Sequence, residues 1–222
     1  MSNAITKPSQ ATAAPGLRGA GRPRTSDVEA RTQDLIDVAA QLFLSNGYTR
    51  TSLEAIARAA RVAVRTIYVK FGGKAGLLDA VLLSRRGEYF QVRDMEHDPR
   101  PLREVVDDFA RQFFDLLCNE QLIAMQRVVI AEAPGNPELA STFYDAGPRL
   151  TRDMLERFFA RPDMRAQLRA DLPFEQLPAF LTSCISGDPI ARLVFPDAQP
   201  SRAEAHRLLA GRLDMFYRAV LR

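Results

Sequence analysis

From Thr51 to Leu78 the chain reads Thr-Ser-Leu-Glu-Ala-Ile-Ala-Arg-Ala-Ala-Arg-Val-Ala-Val-Arg-Thr-Ile-Tyr-Val-Lys-Phe-Gly-Gly-Lys-Ala-Gly-Leu-Leu, and few structures accommodate it. Leu53, Ile56, Ala57 and Ala60 recur at the spacing of one helix face, and Ile67, Tyr68 and Phe71 at that of another. The stripes lie too close together for either helix to be long. The segment is therefore two short helices joined by a tight turn, followed by the start of a third. Between Ala55 and Leu78 the basic residues are Arg58, Arg61, Arg65, Lys70 and Lys74, and no acid intervenes. A short helix that is apolar within and positive without suits a phosphate-lined groove, because neutralising phosphates releases condensed counterions. An ordinary solvated hairpin in a chain of mixed charge would carry acids as well. Double-stranded DNA is the expected partner.

The rest of the composition narrows the class. A chain of 222 residues that is 46% hydrophobic can build a packed core, so disorder throughout is excluded. Its net charge is only +3 and its pI about 9.1, so positive charge matters through its concentration in the first third. Cys118 and Cys184 lie in apolar helical patterns without a CxxC partner, which predicts buried, reduced thiols. No apolar run is long enough to cross a membrane and the amino terminus lacks an apolar signal core, so a soluble cytoplasmic protein is expected. Ser2-Asn3-Ala4 resembles an expression-tag scar. An enzyme is disfavoured. His97 and His206 stand apart, no serine lies in a GxSxG elbow, and Gly73-Lys74-Ala75 lacks the earlier glycine and the hydroxyl of a phosphate loop. No metal or cofactor is expected.

Three domains follow from the pattern. Residues 1–26 are rich in Pro, Gly, Ala, Ser and Thr and are expected to form a disordered basic arm. Prolines hold its end extended, so Arg18, Arg22 and Arg24 suit a minor groove; a plain flexible leader is the alternative. Residues 27–73 form a helix-turn-helix domain, with a first helix from Asp27 to Asn46 carrying Leu35, Ile36, Ala39, Leu42 and Phe43 on one side. Asn46-Gly47 stops it, Thr51 or Ser52 caps the second helix, and the third runs from Ala63 to Lys70. Residues 74–222 form a second, all-helical domain, to which the family resemblance given below assigns ligand binding and dimerisation. Its helices are expected from Lys74 to Arg93, Leu102 to Leu117, Leu122 to Ala133, Leu139 to Phe158, Phe174 to Phe195 and Ser201 to Leu221. The Leu122–Ala133 segment, apolar almost all round, belongs in the middle of the bundle. Gly147-Pro148 and Gly187-Asp-Pro189 predict bends. The class is all-α.

Residues 27–82 resemble the DNA-binding domain of the TetR family of transcriptional regulators. The likeness rests on Ala39-Ala40-x-Leu42-Phe43-x3-Gly47-Tyr48-x2-Thr51-Ser52-Leu53-x2-Ile56-Ala57-x2-Ala60-x-Val62 and on Thr66-Ile67-Tyr68-x2-Phe71-x2-Lys74-x2-Leu77-Leu78. Arg127-Val-Val-Ile-Ala-Glu-Ala133, Pro137-Glu-Leu and Phe143-Tyr144 look like the carboxyl-terminal domain of the AcrR and AefR-like branch. The resemblance implies a homodimer paired through its last two helices, with a ligand in the helical domain setting the spacing of two DNA-reading heads. By it the apolar stripes near 174–195 and 205–221 become the dimer face; composition alone equally allows internal core. Two positions depart from the family. Arg61 replaces a usual glycine, so it takes a left-handed conformation or sits in a different turn. Ala63 replaces a frequent serine, which removes a capping hydroxyl at a cost of about 1 kcal/mol.

Carried over by position, Val64, Arg65 and Thr66 are the base-edge candidates. Arg65 is suited to guanine, a pairing worth ~1–3 kcal/mol of discrimination, and Val64 to a thymine methyl. Thr51, Ser52, Tyr68, Lys70 and Lys74 are the phosphate candidates, with the Tyr68 ring packed inward and its hydroxyl at a phosphate. Arg58 is read as solvated. The small-molecule cavity is expected to be lined by Phe109, Phe113, Met125, Val129, Phe143 and Met154, with Gln112, Asn119, Arg127 or Tyr144 supplying polarity. Residue by residue such stripes read as core, and only the resemblance favours a pocket. The expected function is a ligand-released repressor on a palindromic operator; a helical ligand-sensing adaptor without sequence-specific DNA binding is the alternative.

Overall fold

Helix α1 (Thr25–Asn46) buries Leu35, Ile36, Ala39 and Phe43 and ends at Gly47, whose φ of 81° reverses the chain. The structure is a computed structural model in which residues 25–89, 95–195 and 199–222 are described. The arm arginines Arg18, Arg22 and Arg24 lie outside the described residues, as does the expected end of the fourth helix at Arg93.

Helix α2 (Leu53–Ala59) starts at Ser52, whose Oγ accepts from the Ala55 amide at 3.1 Å. Helix α3 (Val64–Phe71) starts from extended Ala63 with no side-chain cap, as expected from the missing hydroxyl. Between them Arg61 sits at φ 55°, the left-handed alternative of the two foreseen for it. Gly72, at φ 75°, ends α3, and α4 (Lys74–Tyr89) follows at once. A Cβ on Gly76 would lie 1.8 Å from the Phe71 carbonyl oxygen, so only glycine lets α4 start this close to α3.

The remaining helices are α5 (Leu102–Leu117), α6 (Glu120–Glu132), α7 (Pro137–Tyr144), α8 (Leu150–Ala160), α9 (Pro162–Arg165), α10 (Leu177–Ser186), α11 (Pro189–Val194) and α12 (Arg202–Val220). The fold is all-α. Among the described residues its only bridge is the antiparallel pair Leu168–Leu221, held by the Arg169 amide on the Val220 carbonyl at 3.0 Å. Two apolar clusters form. One joins α5, α8, α10 and α12 through residues such as Val106, Phe158, Leu181 and Phe216. The other holds α1 to α4 together with Met125 and Val129 of α6, Leu139 of α7 and Ala146. Helix α4 contributes Leu77, Leu78, Val81 and Leu82 to that second cluster, so the head and part of the bundle share a core.

Several expectations change. Helix α6 flanks the bundle, since only Met125 and Val129 are buried and Ile130 is 59% exposed. The bend at Gly147-Pro148 is a π turn over Asp145–Arg149, which accommodates a proline without an N–H donor. The Phe174–Phe195 helix is three pieces: a 3₁₀ turn at Phe174–Gln176, α10, and α11 beyond left-handed Gly187. The stripe Leu209, Leu213, Phe216, Tyr217 and Val220 of α12 is buried inside the protomer, so it is core and not a dimer face. Cys118 is exposed and Cys184 half-buried, and both are free thiols; the α5 terminus leaves Cys118 at the surface.

A polar tie joins α6 to the turn after α1. The Glu132 carboxylate accepts from the Tyr48 amide at 3.1 Å, the Thr49 amide at 2.7 Å and the Thr49 hydroxyl at 2.6 Å. A Cβ on Gly47 would lie 2.3 Å from Glu132 Oε1, so the carboxylate occupies space a side chain would need. Lys74 completes the arrangement, with Nζ 4.3 Å from the Tyr48 ring centre and donating to the Thr49 carbonyl at 3.3 Å. Burial lowers the Lys74 ammonium, against the pull of Glu132 and Glu138. Burial, followed by the nearby Glu138 carboxylate, pushes the Tyr48 hydroxyl up to about 12, so it stays neutral. For Glu132 burial is the largest influence and acts upward, but the bonds from Thr49 and Tyr48 and the charge of Lys74 together outweigh it. The carboxyl is held below its ordinary 4.5.

Two outcomes are expected. Arg61→Gly relieves the left-handed arginine and raises urea-measured stability by about 1 kcal/mol. Glu132→Gln lowers stability at neutral pH by about 1–3 kcal/mol, as for hydrogen bonds to a charged group. Because the folded-state value of Glu132 is depressed, its contribution is complete above pH 4.5 and fades as pH falls through the lower folded value. The stability difference between wild type and Glu132→Gln therefore narrows on the acid side, read from urea midpoints across pH.

Candidate functional site

The outer face of α3 is built by elimination. Ile67 is fully buried in the head and Val64 packs against the same cluster, which turns Arg65, Tyr68, Val69 and Lys70 outward. Arg65 and Lys70 are exposed, and Lys70 Nζ donates to the Thr32 hydroxyl of α1 at 2.6 Å. Thr66 is half-buried in the first turn of α3. Ser52 is exposed at the start of α2, where its oxygen caps the helix and its hydroxyl donates to the Glu54 carboxylate. Arg58 is exposed, as expected.

Three phosphate candidates stand differently from the expectation. Thr51 is 1% exposed, with its hydroxyl 2.7 Å from the Gly47 carbonyl and 3.1 Å from the Leu42 carbonyl, so it closes the end of α1 instead of facing outward. The Tyr68 ring is not packed but 56% exposed, because Ile67 and Phe71 fill the inward arc of so short a helix. Lys74 turns inward onto Tyr48 and Thr49. Sequence reasoning missed Val69, 75% exposed beside Tyr68; one position past Tyr68, it falls on the outward face by helical phase alone.

A cavity of about 300 Å³ lies among α4, α5, α6, the π turn, α8 and α10. Phe113, Leu116, Leu122, Phe143, Pro148 and Pro178 give it apolar walls, and Arg86, Gln126, Thr151, Arg152 and Thr182 supply polarity. Arg86 donates through Nη1 to the Thr151 hydroxyl at 3.0 Å, and that hydroxyl donates to the Gly147 carbonyl at 3.1 Å. Burial lowers the Arg86 guanidinium from its ordinary value.

Of the expected lining, Phe113 and Phe143 are present and the rest are elsewhere. Phe109 stacks on Phe113 with ring centres 5.4 Å apart but belongs to the bundle core, as does Met154. Met125 and Val129 are buried against the head, since their face of α6 points to α1. Gln112 is half-buried outside the lining. Arg127 donates from Nε to the Leu193 carbonyl at 2.7 Å, tying α6 to α11. Asn119 caps α6 by accepting from the Leu122 amide at 3.1 Å, and exposed Tyr144 lies with its ring centre 5.8 Å from the Arg152 guanidinium. The polar set was missed because it converges only in three dimensions, although the spacing of Leu122 and Gln126 places both on one face of α6. Among the described residues there is no cluster that could hold a metal ion and no helix long and apolar enough to cross a membrane.

The family model for bacterial regulatory proteins of the tetR family matches residues 35–81, which span the shared head core. The model for the AefR-like transcriptional repressor C-terminal domain matches residues 104–219. The HTH-type transcriptional regulator Mb1581 of Mycobacterium bovis is 25% identical over 185 residues, covering 81% of this chain and 84% of that protein. SrpR of Pseudomonas putida, an HTH-type transcriptional regulator, is 37% identical over 65 residues, 29% of this chain and 30% of its own. Among solved structures, the flavonoid-responsive regulator FrrA superposes with a TM-score of 0.65 at 28% identity, covering 87% of this chain and 98% of its own. NalD of Pseudomonas aeruginosa, the secondary repressor of the MexAB-OprM efflux pump, gives 0.59 at 23% identity with the same coverage, a likeness of fold. With a matched head, a matched bundle and an outward helix free of acids, the chain belongs to the TetR family of helix-turn-helix transcriptional regulators.

Proposed function

We propose that the protein is a homodimeric repressor that binds a palindromic operator through α3 and is released by a small molecule held in the cavity beside α4. The observation that carries this reading is the outward face of α3, where Arg65, Tyr68, Val69 and Lys70 are exposed and no acid occurs between Ala55 and Leu78. In this reading Arg65 reads a base edge, with Val64 and Thr66 beside it. Lys70, Ser52 and the Tyr68 hydroxyl fix register on phosphates. Thr51 and Lys74 act from behind, by holding the turn that presents α2 and α3.

Pairing is supported by apolar side chains left exposed near the carboxyl end: Phe180 of α10, Ile190 and Val194 of α11, Phe195, and Met215 of α12. Exposed apolar side chains gathered on α10, α11 and α12 suit an association surface. Two heads paired through it would meet half-sites about 34–36 Å apart or a multiple of that. Release is supported by α4, which carries Leu77 and Leu78 in the head core and Leu82 and Arg86 in the cavity wall. A ligand that moves Arg86 acts on the element that starts against α3. FrrA responds to flavonoids, and a flat aromatic effector with hydroxyl groups suits walls made by Phe113 and Phe143 with Arg86, Gln126 and Thr151 as polar partners.

The test is fluorescence anisotropy with DNA from upstream of the gene at graded salt. Wild type should give a straight log–log line whose slope is about −0.9 per phosphate neutralised. Lys70→Ala should weaken binding to all sequences alike and flatten the slope by about one, whereas Arg65→Ala should lose about 1–3 kcal/mol and relax specificity at one position. A monomer in solution, or affinity indifferent to both substitutions, overturns the reading and favours the adaptor.

A further inference from the structure

A second cavity, of about 580 Å³, lies between the end of α5, the α10–α11 junction and α12. Its charges are unlike those of the first. Phe114, Ile123 and Leu208 are apolar members of its lining, Arg192 and Arg212 are charged ones, and the Arg212 guanidinium lies 5.9 Å from the Phe114 ring centre. Arg192 is 6% exposed; its Nη1 donates to the Ser186 carbonyl at 2.9 Å, and its Nε is buried without a hydrogen-bond partner. Arg212 donates from Nε to the Cys184 carbonyl at 2.6 Å and from Nη2 to the Ile185 carbonyl at 3.2 Å. It lies so close under Gly187 that a Cβ there would be 3.1 Å from its guanidinium carbon.

The plain role of both side chains is to cap α10, whose last carbonyls and negative dipole end favour a cation. That role does not account for two guanidiniums at one helix end, nor for a buried donor with nothing to receive it. The acids in the same lining are engaged. Asp115 binds Arg202 at 2.8 Å and His206 at 2.7 Å, and the Asp188 carboxylate accepts from the Ala191 amide at 2.9 Å. Burial lowers the Arg192 guanidinium and the charge of Arg212 adds to the effect, against the pull of Cys118 and Asp188. The lining thus carries three guanidiniums against two carboxylates, two of the guanidiniums at one helix end, and a buried Arg192 donor without a partner, with Phe114 and Leu208 beside them.

We propose that this cavity binds a small carboxylate with a short hydrocarbon body, its oxygens shared by Arg192 and Arg212 and its chain lying against Phe114 and Leu208. Planar guanidinium forks match a carboxylate in geometry as well as charge. The site adjoins the cavity beside α4, with Ser186 in both linings, but its arginines belong to this cavity alone.

Isothermal titration of the full-length protein with hexanoate, hexanol and inorganic phosphate tests it. Hexanoate should bind at sub-millimolar concentration, with hexanol and phosphate at least tenfold weaker. Arg212→Gln and Arg192→Met should each weaken hexanoate tenfold or more, while Phe143→Ala in the other cavity leaves it unchanged. Should Arg192→Met fail to fold, Arg212→Gln carries the comparison, and the native protein crystallised with 6-bromohexanoate should show an anomalous bromine peak in this cavity. Absence of hexanoate binding, phosphate binding more tightly than hexanoate, affinity unchanged in folded variants, or bromine only in the cavity beside α4 overturns the proposal.

Discussion

Two backbone amides in the turn after α1 depend on a carboxylate from far along the chain. Tyr48 and Thr49 lie beyond the last helical residue, where their N–H groups have left the helical ladder, and Glu132 at the end of α6 receives both. The turn that α6 grips leads straight into α2, so the seat of Glu132 bears on the pose of the two short helices beyond it. The geometry is demanding. Gly47 must lack a side chain to admit the carboxylate, Lys74 must reach back to balance its charge, and the Tyr48 ring must lie buried beneath the ammonium. Met125 and Val129 continue the contact as apolar packing one and two turns earlier in α6. Motion of α6 relative to α1 thus meets both an electrostatic and an apolar resistance at one end of the head.

That junction also explains what the sequence could and could not disclose. The head was readable because each of its helices buries one face against the others: the periodicity of Leu35, Ile36, Ala39 and Phe43, and of Leu53, Ile56 and Ala57, reports that packing directly. Helix α6 was misread because its apolar residues serve three surroundings. Met125 and Val129 meet the head, Leu122 meets the first cavity, and Ile130 is exposed. Periodicity reveals that a face is apolar but not what lies opposite. The same ambiguity misplaced the stripe of α12, which is internal, while Ile190, Val194 and Met215, exposed and less conspicuous in pattern, were passed over.

Polar residues divide along similar lines. Caps that act within a few residues, such as Ser52, were readable, and Arg61 was recognisable because glycine was expected there. Thr51 and Lys74 were assigned outward although their partners, the Leu42 and Gly47 carbonyls and the Tyr48 ring, lie across the turn. Arg86 and Thr151 were missed for the same reason, since their bond spans α4 and α8. A hydroxyl or ammonium on a short helix can serve a ligand or the helix's own neighbours, and only the neighbours' positions decide.

The π turn at Asp145–Arg149 has a consequence for how the wall of the first cavity can yield. An i to i−5 turn holds one residue more than an α turn, so the helix that leaves it is offset in rotational phase by about 100° from the one that enters. With that offset Phe143, Ala146, Pro148 and Thr151 line the same space. Thr151, in the first turn of α8 beyond the π segment, owes its place beside Arg86 to that phase, so the bond between them registers how the turn is wound.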